Sequence, residues 1–139
     1  MIHHRPRRLR SKVLPGIDDC LRNLMAIRGV RGASLIDYRT GLVIGAAGAG
    51  PNASHDATAA GAADVVQALL NGDAFAPVGQ PELVHELIIV AGNGYHLIQF
   101  VRGSFDSRIV LYTWLDPADG NLALTRRRLR STAEELVAG

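Results

Sequence analysis

The sequence predicts an α+β domain, a three-layer α/β/α sandwich around a five-stranded antiparallel sheet, with elements in the order α-β-β-α-β-β-β-α. Two observations carry this. Apolar residues recur at helical spacing in three segments and at period two in five. The last two strands are also apolar on both faces. In Tyr95–Arg102, Leu97 and Val101 oppose Ile98 and Phe100; in Arg108–Leu115, Ile109, Leu111 and Leu115 oppose Val110, Tyr112 and Trp114. A sheet with one wet face alternates apolar and polar residues, so helices are expected on both faces here. A length of 139 residues with 47% hydrophobic content suits a single domain with a true core.

Residues 1–13 read as a basic flexible tail and residues 14–139 as the domain. Arg5, Arg7, Arg8, Arg10 and Lys12 crowd the tail without hydrophobic periodicity. Two readings stay open for it: a solvated extension, or weak attraction to an acidic partner or membrane surface.

Structure is expected from Pro15-Gly16. Ile17, Cys20, Leu21, Leu24 and Ile27 form one helical stripe. Asp18 and Asp19 suit the first turn, Arg28 the last, and Gly29 stops the helix. The runs Ala33–Tyr38 and Leu42–Ala46, joined by Arg39-Thr40-Gly41, predict a hairpin. Residues 47–52 read as a loop, and Ser54 as the N-cap of a helix reaching Leu70.

In that helix Ala59, Ala63, Val66 and Leu70 make one stripe and Ala62, Val65 and Leu69 an adjoining one. The arc is wider than a helix resting on one surface needs. The alternative is a helix buried within its own chain. After a Pro- and Gly-containing loop (71–82) come strands Glu86–Ala91, Tyr95–Arg102 and Arg108–Leu115. Asn93-Gly94 signals a two-residue type I′ turn, and Gly103–Ser107 form the next link. Asn121 can cap a last helix with Leu122, Leu129, Ala133 and Leu136 on one side.

No catalytic constellation emerges. Gly45-Ala-Ala-Gly48-Ala-Gly50 lacks the ending of a Walker loop and the glycine order of a dinucleotide fingerprint. Ser54-His55-Asp56 are consecutive, whereas triad partners converge from separate segments. The five histidines show no metal-site spacing, and His96 is expected to face a helix or a partner surface. No cofactor and no metal are expected. Cys20 lies on the apolar stripe and reads as packing. Arg126, Arg127, Arg128 and Arg130 raise nucleic-acid binding, but no helix-turn-helix, zinc pattern or stacking motif accompanies them. With one cysteine, no bilayer-length apolar run and no signal-peptide pattern, a cytoplasmic protein is expected.

The run Gly29-Val30-Arg31-Gly32-Ala33-Ser34-Leu35-Ile36-Asp37 with Thr40-Gly41-Leu42-Val43-Ile44 resembles the opening of the Roadblock/dynein light chain family. Arg108–Tyr112, Leu115-Asp116 and Asn121–Leu124 are similar to the ending of its actinobacterial members. The resemblance covers about residues 16–137 and implies the profilin-like three-layer fold. It further implies a homodimer, or a heterodimer of two such domains, whose third strands pair into a ten-stranded sheet, with the second helices side by side. The seam would then hold Leu87, Ile88, Ile89 and Val90 with Ala59, Ala62, Ala63, Val66 and Leu70. Two features read from the residues agree: an apolar third strand that would be a hazardous free edge, and the wide arc of the second helix.

The resemblance also implies a non-catalytic adaptor or regulator of a small Ras-like GTPase. The bacterial members it evokes include the type that activates a gliding-motility GTPase, and others associated with a GTPase and a sensor kinase. It implies no arginine finger from this chain, and a place in the cytoplasm or, through partners, at the inner membrane face. The competing reading is a small-molecule sensor domain of the same three-layer type, which requires a pocket between sheet and helices.

Overall fold

The computed structural model describes residues 16–77, 79–80, 83–102 and 108–138. The basic residues 5–12 and the link 103–107 lie outside these. Three α-helices, α1 (Ile17–Met25), α2 (His55–Leu70) and α3 (Leu122–Ala138), accompany five strands. The strands are β1 (Val30–Asp37), β2 (Leu42–Gly48), β3 (Glu86–Ala91), β4 (Gly94–Val101) and β5 (Ile109–Leu115). They form one antiparallel sheet in the order β2-β1-β5-β4-β3. The two edges are therefore β2 and β3.

The two-sided apolar pattern of β4 and β5 divides the core as expected. Leu35, Leu97, Val101, Ile109, Leu111 and Leu115 meet Leu24 of α1 and Leu129 of α3 on one face. Ile36, Ile98, Phe100, Val110 and Tyr112 meet Ala59, Ala63 and Val66 of α2 on the other. The cover is unequal. On the first face α1 lies on β1 and β2, and α3 lies on β4 and β5; on the second, α2 is the one helix of the described residues, lying on β1 and β2.

Several local details depart from the sequence reading. The first helix ends at Met25, and Ile27 joins the core through a tighter turn in which its N–H bonds Leu24 O at 3.1 Å. Arg28 thus lies beyond the helix. Gly29 has φ +90°, and a Cβ there would stand 2.5 Å from Gly120 Cα. The first hairpin is longer than predicted, because Gly32 pairs with Gly48. Ala49 O then occupies the space of a Gly32 Cβ, 1.7 Å from its ideal position. Residues 47–48 are accordingly strand, and Pro51–Ala53 make a single 3-10 turn.

The β3–β4 turn is not the type I′ turn expected at Asn93-Gly94. Ala91 pairs with Gly94, so Gly92 and Asn93 are the corners, and Gly94 alone takes a positive φ (+132°). Asn93 is held in place by tertiary bonds described below, which outweigh the local preference. The capping expectations fare better. Ser54 Oγ accepts from Ala57 N at 3.0 Å, and Asn121 Oδ1 accepts from Leu124 N at 2.8 Å.

Candidate interaction surface

The unequal cover leaves an apolar corner on the α2 side of the sheet. The orientation of α2 follows from its contacts. Gln67 Nε2 donates to Tyr38 O at 2.6 Å, and Gly41 abuts Ala60 and Ala63, so this flank faces the β1–β2 hairpin. The opposite flank, with Thr58, Ala62, Val65 and Leu69 at helical spacing, turns toward β4 and β3. Val65 remains 42% exposed. Val84, Leu70 and Leu87 shelter Ile98 and Phe100. On this face, nearer the β3–β4 turn, no helix of the described residues lies over the sheet.

There four strands contribute one row of side chains. The Arg31 guanidinium from β1 lies 5.2 Å from the centre of the Trp114 ring of β5. Trp114 lies parallel to His96 of β4, with centroids 6.5 Å apart and planes within 5°. His96 pairs across the ladder with Ile89 of β3, which is 37% exposed. The row is pinned by polar bonds. The Tyr112 hydroxyl stands 2.6 Å from His96 Nδ1, and His96 Nε2 stands 2.8 Å from Asn93 Oδ1. When the ring is neutral, Nε2–H can donate to the Asn93 amide oxygen while Nδ1 accepts from the Tyr112 hydroxyl. Trp114 Nε1 donates to Asn93 O at 2.9 Å, and Arg31 to Asp116 Oδ2 at 3.0 Å.

Electrostatics match these surroundings. Burial lowers the His96 pKa below its ordinary value of 6.5 and raises that of Tyr112. Asp116 is held below the usual carboxylate range by the Ala118 N–H and then by Arg31. At the start of β3, Arg126 hydrogen-bonds Glu86 and holds its carboxyl low, with Arg130 4.0 Å away. Two of the four clustered arginines thus face an acid, whereas Arg127 and Arg128 are exposed.

The expected seam residues fall into two groups. Leu87 and Ile88 are half-buried and Ile89 and Val90 exposed, all on an edge strand. Ala59, Ala62, Ala63 and Val66 are already buried against the chain's own sheet, and Leu70 is half-buried there. The open part of α2 is the flank beside them. Sequence reasoning misses Trp114 on this surface and gives His96 only a helix or a partner to face; the in-register alternation of β4 and β5 is the available signal. Cys20 is buried, its thiol pushed up to about 12 by desolvation and by Glu135. Among the described residues no group of three His, Cys, Asp or Glu side chains could hold a metal. None of their helices is long and apolar enough to cross a membrane.

No protein-family model and no curated protein matches the chain. Solved structures do. Myxococcus xanthus MglB superposes with a TM-score of 0.65 at 20% identity, covering 93% of this chain and 87% of that one. A Roadblock/LC7 domain from Streptomyces avermitilis gives 0.68 at 18% identity, covering 85% and 92%. The gliding protein MglB of Thermus thermophilus gives 0.62 at 19% identity, covering 96% and 89%.

The chain has the Roadblock/LC7 fold.

In this Roadblock-fold chain the third strand is an edge, and the uncovered corner of the sheet adjoins it. A cavity of about 270 Å³ lies at the other end of β4, beside α3. His85, Gln99, Arg102, Arg130 and Glu134 line it.

Proposed function

We propose that the chain is a homodimeric adaptor or regulator of a small Ras-like GTPase, acting by binding rather than by a catalytic group of its own. The observation that carries the self-association is the apolar corner at the β3 edge. A second copy pairing β3 to β3 satisfies the β3 edge of each copy, and its α2 then covers Ile89, His96 and Trp114. One isologous contact serves both needs. In this reading Val65 and Leu69, on the flank beside the buried Ala59, Ala62, Ala63 and Val66, join the helix–helix part of the seam.

The GTPase partner is supported by the resemblance over residues 29–44 and 108–124 and by the likeness to MglB. Stimulation without a donated arginine requires only that the dimer bind better to one state of the switch loops. The test is capture of a Ras-like GTPase encoded beside this chain, loaded with GTP or GDP. Retention of the GTP form above the GDP form is expected. Equal failure of both would refute the reading.

The sensor reading finds its support in the cavity beside α3, whose lining includes Arg102 and Arg130 beside Phe100 and Ala133. It predicts a rise in melting temperature with a small anionic ligand. A phosphate and dicarboxylate screen without any shift argues against it.

A further inference from the structure

A second cavity, about 300 Å³, separates α1 from α3 on the opposite face of the sheet. Buried Cys20, Thr132 and Leu136 form its floor, while Asp19, Asn23 and Glu135 form its rim. Two of the three rim residues are acidic. Among the described residues Asp19 is bound to Arg22, in a pair whose side chains are 72% (Arg22) and 74% (Asp19) exposed. Such a pair is weak and salt-screened, so it leaves the carboxylate open to exchange.

Gly16 also lines this groove. It is the first described residue and has φ +90°, so the preceding residues 1–15 are joined to the fold at this end of the groove. That preceding chain carries Arg5, Arg7, Arg8, Arg10 and Lys12 and no acidic residue, with Val13 and Leu14 nearest the groove.

We propose that the groove between α1 and α3 is the docking site of the chain's own residues 1–15. Charge and reach both fit. From Gly16 to Asn23 the groove follows roughly 10 Å of helix, and the four residues from Lys12 to Gly16 extend about 13 Å. Val13 and Leu14 then meet the apolar floor, and Lys12 and Arg10 meet Asp19 and Glu135. The outer flank of α3, with Arg126 and Arg130, repels the same segment. Docking caps the α1–α3 face with the chain's own residues. An anionic surface elsewhere must compete for the same five charges. This inference is independent of the dimer and of the GTPase.

The test uses the full chain with a nitroxide at position 11, introduced by Ser11→Cys in a Cys20→Ala background, and reads amide signals by NMR. Selective broadening of Asp19, Asn23, Thr132 and Glu135 is expected, with at least a twofold recovery of intensity in Asp19→Lys/Glu135→Lys. Broadening spread evenly over the surface, or centred elsewhere, overturns the proposal. So does broadening that ignores the double charge reversal. Selective broadening of the rim that is relieved by vesicles containing phosphatidylserine supports competition for the same charges. Vesicle binding with no prior effect at the rim overturns it in favour of a lipid contact. If Cys20→Ala fails to fold, replacing Arg7, Arg8, Arg10 and Lys12 by Ser in the otherwise unaltered chain must shift the same four amides. No shift overturns the proposal.

Discussion

The Tyr112 hydroxyl lies 2.6 Å from Nδ1 of His96, and this bond helps fix the imidazole parallel to Trp114 on the open corner of the sheet. Desolvation lowers the pKa of His96 from 6.5. A histidine with a depressed folded pKa favours the folded state above its unfolded value. That contribution is lost as pH falls below 6.5 toward the folded value, because the unfolded chain binds more protons. Melting temperature is therefore expected to fall between pH 7 and pH 5 more steeply in the native chain than in His96→Gln. Parallel pH profiles for the two would remove His96 as a titrating group.

Glu86 titrates with the same sign at lower pH, its folded value being lowered by a hydrogen bond rather than by burial. Its carboxyl is held low chiefly by the hydrogen bond from Arg126. The pair stabilises the fold above the ordinary value of 4.5, and its contribution fades as pH drops through the lowered folded value. Denaturant titrations should show Glu86→Gln less stable than the native chain near pH 7, with the gap closing toward pH 3. A gap that stays constant with pH would mean that the loss is one of packing.

Gly32→Ala tests the close approach of the first hairpin to the loop after β2. The added methyl would meet Ala49 O at 1.7 Å, and this neighbour is backbone rather than a movable side chain. A loss on the order of 3 kcal/mol is expected from such overpacking, measured by chemical denaturation. A change within about 0.5 kcal/mol, the usual range for a surface site, would show that residues 48–50 give way freely.

Most of the fold is legible in the sequence because its signals are local. The opposed apolar sets of β4 and β5 require cover on both faces, and Ser54 and Asn121 announce two helix starts. What stays hidden depends on tertiary competition. Asn93 is claimed by His96 and Trp114, so the turn shifts by one residue from the Asn-Gly signal. In α2, the wide apolar arc points Ala59, Ala62, Ala63 and Val66 at a partner, but alanine lets the helix approach its own sheet closely and these residues are used there. The adjoining stripe is visible, yet only the sheet order shows that Val65 and Leu69 border an uncovered corner. The row Arg31–Trp114–His96–Ile89 draws on four strands and can be read only once register is known.

Self-association through the β3 edge is tested most directly by sedimentation of the native chain and Ile89→Lys at micromolar concentration. The chain mass is 14.9 kDa. A native species of about twice that mass is expected, becoming a folded monomer in Ile89→Lys, where the ammonium would be buried against the partner's second helix. A monomeric native chain, or an Ile89→Lys protein that stays equally dimeric and equally stable, would contradict the account.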